Sequence, residues 1–224
     1  MILYLFDIDG TLLHAHGSGR EAFDAVFVER HGVANASEGI RYGGKTDPQI
    51  VGEIFEARLG RKPTRDEVDG FLDAYIPRLR SLLATNRVVV IEGVIAALEV
   101  LSNKVGVMMG LATGNIRRGA HEKMMAAQLA SWFEIENGVG GYGCDSAVRS
   151  ELVARAIERG RERGATGEVI VVGDTIHDIA AARACKATVV AVTTGSDPAD
   201  RLSHADAVMT SLAELPAWHA ARFG

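Results

Sequence analysis

"LYLFDIDGTLL", residues 3–13, runs apolar for four residues, turns to two carboxylates, a glycine and a threonine, and returns to leucine. Residues 2–6 are too short for a helix and apolar throughout, so they read as a buried strand. A turn of acids and glycine that only satisfies backbone groups would also end a strand this way. The rest of the chain decides between that reading and a chemical one.

Two further strands end alike. The apolar run 105–112 gives way to Thr113-Gly114-Asn115, and 169–172 gives way to Gly173-Asp174. A fourth run, 188–192, has the same branched character. Helical stretches at 94–103, 116–129, 147–163 and 176–184 alternate with these strands at lengths suited to right-handed crossovers. The expected fold is therefore α/β, a parallel-sheet Rossmann-like core with helices on both faces. In an open parallel sheet the carboxyl ends of the strands share one edge, where ligands bind, so the three polar clusters should converge.

Residues 15–86 break the alternation. Helical periodicity appears near 20–30, 49–59 and 67–83 with no convincing strand between. Thr64 with Glu67 forms a capping-box pattern, and Asp47-Pro48 suits an N-cap followed by proline at the first helical position. The expectation is a core of 1–14 and 87–224 carrying an inserted α-helical cap, 15–86, with Gly17-Ser18-Gly19 and Thr85-Asn86-Arg87 as hinges.

Composition narrows the function classes. The 224 residues are 47% hydrophobic, enough for one substantial domain or a medium domain with an insertion. Lys and Arg total 24 against 29 Asp and Glu, a net charge of −5 with no dense basic stretch, which argues against a nucleic-acid partner. Cys144 and Cys185 lie far apart with no companion at zinc-ligand spacing, and read as small buried hydrophobes. With no basic leader and no apolar run near the ~18 residues that span a bilayer, the expected location is cytoplasmic, with no membrane partner.

The converging clusters suggest a chemistry. Asp7, Asp9, Asp174 and Asp178 would bring up to four negative charges into a partly dry crevice, which is costly unless a cation offsets some of them. Hard carboxylate oxygens with no thiolate in the motifs favour Mg2+. Thr113 offers a hydroxyl, Gly114 permits close backbone approach, and the amides near Asn115 open the next helix, an arrangement that attracts a phosphoryl group.

"DIDGT" at 7–11, "ATGN" at 112–115 and "GDTIHD" at 173–178 resemble the first, second and fourth motifs of the haloacid-dehalogenase superfamily, closest to its phosphoglycolate-phosphatase-like group. The resemblance implies a Mg2+-dependent phosphatase acting on a small phosphorylated metabolite. It makes Asp7 the nucleophile that forms an aspartyl-phosphate and Asp9 the general acid and base. It gives the metal to Asp7, the backbone carbonyl of Asp9 and Asp174, with Asp178 in support. The family's third motif ordinarily supplies a lysine, yet "CDSAVRSELVARAIER" has none. Arg149 is the best replacement there and Lys123 the fallback.

Each site residue has a plainer role to weigh. Thr113 and Asp174 suit helix N-caps, Asp178 a solvated surface acid, and Arg149 one more exposed cation. "RYGGKTDPQ" at 41–49 either reads substrate through Lys45 and Thr46 or merely joins two helices, and the resemblance favours the first. Under the first reading Arg20, Arg41 and Lys45 would meet an anionic leaving group, but each taken singly is expected in solvent, and His14 and His16 at a hinge or the surface. Three alternatives share the motifs: a sugar phosphomutase, a dehalogenase, which needs neither the acid/base nor the metal set, and a phosphate-binding regulatory module, favoured only by the missing lysine.

Overall fold

The computed structural model describes residues 1–86 and 88–224. Among the described residues eight strands and eight α-helices follow in chain order: β1 (Ile2–Phe6), β2 (Leu13–His14), α1 (Ser18–His31), α2 (Asp47–Leu59), α3 (Arg65–Thr85), β3 (Val89–Val90), α4 (Val94–Ser102) and β4 (Val107–Ala112). Then come α5 (Arg117–Ala126), β5 (Gly140–Gly141), α6 (Arg149–Glu162), β6 (Val169–Gly173), α7 (Ile176–Ala184), β7 (Thr188–Val192), β8 (Ala207–Met209) and α8 (Leu215–Phe223).

Six strands form one parallel sheet in the order β5-β4-β1-β6-β7-β8. Alternation along the strands makes two cores. Leu3 and Leu5, with Val169, Val171 and Val189, meet α6 and α7 through Leu152, Ala156 and Ile179. Tyr4 and Phe6, with Ile170, Val172 and Val190, face Leu98, Leu101 and Leu215 of α4 and α8. Every second residue goes to one face because side chains alternate across a strand, so both faces must be apolar and both are covered. β1 lies at the centre, where the chain steps first to β4 and later returns to β6. That reversal leaves a crevice at the strand ends, and Asp7 follows β1 directly into it.

Between β2 and β3, which pair antiparallel, the chain is helical. Phe23, Phe27, Phe55 and Phe71 interlock there, with Phe27 centred 5.2 Å from Phe55 and from Phe71. Truncating one such fully buried ring costs about 3–5 kcal/mol.

Several boundaries differ from expectation for local reasons. Gly17 takes a left-handed φ of 83° and α1 starts at Ser18, so Ser18 and Gly19 are helical rather than linker. Thr85 closes α3, Asn86 donates to the Ser18 hydroxyl at 3.1 Å, and Arg87 lies outside the described residues. Thr46, not Asp47, caps α2; Asp47 is its first helical residue, with Pro48 second. The Thr64–Glu67 capping box forms as expected. β4 begins at Val107 because Gly106 turns left-handed (φ 83°), which leaves Val105 fully exposed. Gln128 at φ 58° ends α5 early. β5, β8 and α8 carried too little local pattern to be anticipated; β5 is two glycines.

Candidate active site

Past β1, Asp7 extends the ladder through its N–H to the Val172 carbonyl (2.9 Å), and its side chain accepts from the Ile8 N–H at 2.8 Å. Ile8 is fully buried, which turns Asp9 back toward the crevice. Gly10 then adopts φ 81°, and a Cβ there would stand 2.7 Å from the Asp174 carboxylate. The Thr11 hydroxyl donates to Asp174 Oδ1 at 3.3 Å, which ties the first and last motifs together across 163 residues. On the far side of Asp174, the Ser196 N–H donates to Oδ2 at 2.8 Å, and a Cβ on Gly195 would overlap the same carboxylate.

Arg149, the first residue of α6, is buried between two acids. Its guanidinium is 2.7 Å from Asp7 Oδ2 and 2.6 Å from Asp178 Oδ1, and Nε donates to Asp178 Oδ1 at 2.9 Å. Asp178 Oδ2 accepts from the Thr175 hydroxyl (2.6 Å) and N–H (3.0 Å), the reciprocal half of a capping box in which Thr175, rather than Asp174, is the N-cap of α7. Asp178 is thus a buried acid holding Arg149, not a solvated one. Burial raises the Arg149 cost of ionisation, but Asp178 and Asp7 more than offset it and hold the guanidinium charged.

Carboxylate oxygens of Asp7, Asp174 and Asp178 lie within 4.8 Å of one another, all buried. Desolvation pushes both Asp7 and Asp174 above the usual carboxylate range. Asp178 adds repulsion in each case, and Arg149 opposes it. Asp178 already accepts two protein hydrogen bonds on each oxygen, whereas Asp7 and Asp174 take one donor on each and retain lone pairs. The set therefore fits a hard cation that needs one or two carboxylates and fills its remaining positions from elsewhere.

Thr113 does not cap α5. Its hydroxyl accepts from the Asn115 N–H (3.3 Å) and side-chain amide (2.8 Å), and Asn115 also donates to Asp9 Oδ2 at 2.8 Å. The helix is capped from a distance: Asp47 Oδ2 accepts from the Ile116 N–H at 2.8 Å, while the Asp47 N–H donates to the Gly114 carbonyl, also at 2.8 Å. A Cβ on Gly114 would collide with the Lys45 carbonyl, so the close approach that a glycine permits here is to the chain's own loop. Lys123 reaches back from α5 to place Nζ 2.8 and 2.6 Å from the two Asp9 oxygens. Burial of Asp9 works against ionisation, but the Lys123 charge and the Asn115 amide prevail and keep it below the usual range.

These groups line one cavity of about 650 Å3, together with His14, His16, Lys45, Tyr42 and Tyr75. Asp7, Asp9, Thr113, Gly114, Asn115, Arg149, Lys45 and Asp174 all line it, while Asp178 stands behind Arg149. The carboxylate of Asp9 lies on Lys123, apart from the three-acid group. Lys45 is paired with Glu53. Arg20 is not a free surface charge; it donates to the carbonyls of Ser37 (2.6 Å) and Ile40 (2.8 Å). Cys144 is exposed and Cys185 half-buried, so neither is a core hydrophobe.

Residues 4–192 match the haloacid dehalogenase-like hydrolase family, a span that holds all three motifs and most of the chain. The chain belongs to that family. No curated protein matches it. Among solved structures it is similar to CbbY from Rhodobacter sphaeroides in complex with phosphate, at 17% identity over 95% of each chain, with a TM-score of 0.69. A predicted phosphatase from Clostridium acetobutylicum aligns at 18% identity over 98% of each chain, TM-score 0.71, and a hydrolase from Pseudomonas syringae at 21% over 100% of each, TM-score 0.69. Likeness at these identities concerns the fold.

Within this haloacid dehalogenase-like site, three features escaped the sequence reading. Asp47 has the motif of a local cap but serves a helix 69 positions away. Gly195 and Ser196 follow β7 with no motif of their own, and only the neighbouring Asp174 explains them. Lys123 was expected only as a stand-in for a phosphate-binding lysine and instead pairs with Asp9.

Proposed function

We propose that this haloacid dehalogenase-like hydrolase is a Mg2+-dependent phosphatase that releases inorganic phosphate from a small phosphomonoester. The observation that carries the reading is Asp7: a buried carboxylate at the end of the central strand, 2.7 Å from Arg149, grouped with Asp174 and opening on a cavity. Asp7 and Asp174 would hold the cation, with the Asp9 carbonyl completing the set. When bound, the cation would supply positive charge that lets an anionic nucleophile approach an anionic phosphoryl group.

The chain's own residues account for the rest. An Asp7 oxygen attacks phosphorus as the bond to the ester oxygen breaks, and the departing alkoxide takes a proton from Asp9, which has to enter the step protonated against the pull of Lys123. Asp9, now ionised, removes a proton from water; that oxygen attacks phosphorus, the bond to Asp7 breaks, and phosphate leaves with Asp7 regenerated. Arg149 holds the nucleophile and offers charge to the phosphoryl oxygens, with its planar fork in place of the lysine the family ordinarily uses. Thr113 and the Gly114 and Asn115 amides receive the phosphoryl group. The helices of residues 15–86 act as a cap, hinged near the β2–β3 pair, that excludes bulk water when closed.

The reading of a phosphate-binding module rested on the absent lysine. With Arg149 beside Asp7, nothing further favours it. The deciding experiment is hydrolysis of an aryl phosphate: turnover should require Mg2+ and vanish in Asp7→Asn. Activity that survives the substitution would refute the mechanism.

A further inference from the structure

The cavity beyond Asp7 has a charge pattern that bears on what leaves. Four described cations line it, and each is already engaged. Arg149 is held between Asp7 and Asp178, Lys123 lies on Asp9, and Lys45 is paired with Glu53. Arg20 spends its terminal nitrogens on two backbone carbonyls and lays its guanidinium 4.5 Å from the centre of the Tyr42 ring. The carboxylates Asp7, Asp9, Asp47 and Asp174 line the same space.

An additional anion on the leaving group would therefore meet no unspent lysine or arginine among the described residues that line the cavity. It would have to break an existing pair and leave a partly buried carboxylate uncompensated, or sit near acids unneutralised. The helices supply surface of another kind. Phe23, Ile50 and Tyr75 are buried, the Phe23 ring is centred 4.6 Å from that of Tyr75, and with Tyr42 they line the cavity. Flat rings and an aliphatic wall bind a ring or other apolar face, while the hydroxyl of Tyr75 offers a neutral polar contact.

We propose that the leaving group is an uncharged alcohol with a ring or other apolar face, and that phosphomonoesters carrying a second anionic group, carboxylate or phosphate, are selected against. This rests on the phosphatase reading and sets the chain apart from an enzyme built for phosphoglycolate. The Lys45–Glu53 pair is the component that keeps Lys45, the cap-borne lysine lining the cavity, from accepting a substrate carboxylate.

The test compares phenyl phosphate with 4-carboxyphenyl phosphate in saturating Mg2+. It is run at about pH 8 in every arm. The wild type should favour phenyl phosphate in kcat/KM by about tenfold or more, chiefly through KM, the scale of leaving one charge uncompensated. Glu53→Gln, which releases Lys45, should raise kcat/KM for the carboxylated ester several-fold and leave phenyl phosphate unchanged. Equal rates on the two esters, a preference for the anionic one, or an equal effect of Glu53→Gln on both would overturn the proposal. In those cases, turnover that is lost in Asp7→Asn would leave the phosphatase reading standing. Absence of turnover on either ester would overturn both.

Discussion

A single lysine shows how finely the chemistry depends on neighbours. Asp9 has to give a proton in one half of the proposed reaction and take one in the other, so its affinity for protons sets the working pH. Lys123 lies against both its oxygens and lowers that affinity. Lys123→Met removes the opposing charge, and the whole pH profile of kcat should move to higher pH. A profile that keeps its position while its height falls would assign Lys123 to structure alone. Gly195 makes a steric case at the same scale. A Cβ there overlaps the Asp174 carboxylate, so Gly195→Ala should cost about 1–3 kcal/mol in denaturant unfolding and weaken Mg2+ binding by calorimetry.

At the scale of elements, the contact between the loop before α2 and the start of α5 joins the two parts of the molecule. Asp47 accepts from Ile116 and donates to Gly114, while the Thr46 hydroxyl donates to the Ala147 carbonyl at 3.3 Å. Asp47→Ala removes the carboxylate that accepts from the Ile116 N–H at the start of α5 and should cost about 1–2 kcal/mol, with KM raised. The pH dependence has a definite sign. Burial pushes the Asp47 carboxyl up to about 6, against the pull of Lys123 and the Ile116 N–H. A group raised on folding contributes stability that is full below its unfolded value and is lost as pH rises through its folded one. Asp47→Asn keeps an acceptor without a charge, so its melting temperature relative to wild type should climb between about pH 4 and pH 7. A difference that stays flat across that window would contradict the burial of this acid.

For the whole molecule, the buried acids at the sheet's edge couple stability to pH and to metal. Asp7 and Asp174 are both raised by desolvation and repulsion, so in metal-free protein their contribution is present at low pH and fades as pH rises through their folded values. A divalent cation binds the ionised carboxylates and displaces protons, so the gain in melting temperature on adding Mg2+ should be larger at about pH 8 than at about pH 5.5, and small in Asp174→Asn. What the sequence by itself determined was local and periodic. Apolar runs of strand length alternating with amphipathic helices made a parallel α/β sheet, and polar residues after Phe6, Ala112 and Val172 had to share an edge because parallel strands end on one side. Tertiary structure alone decided which cation met which acid. Arg149 reached Asp7, Lys123 reached Asp9 across 114 positions, Lys45 was taken by Glu53, and Asp47 capped a helix in another part of the chain. Periodicity fixes the face on which a side chain emerges; a charge's partner depends on distances of a few ångströms between segments that only the packed fold brings together.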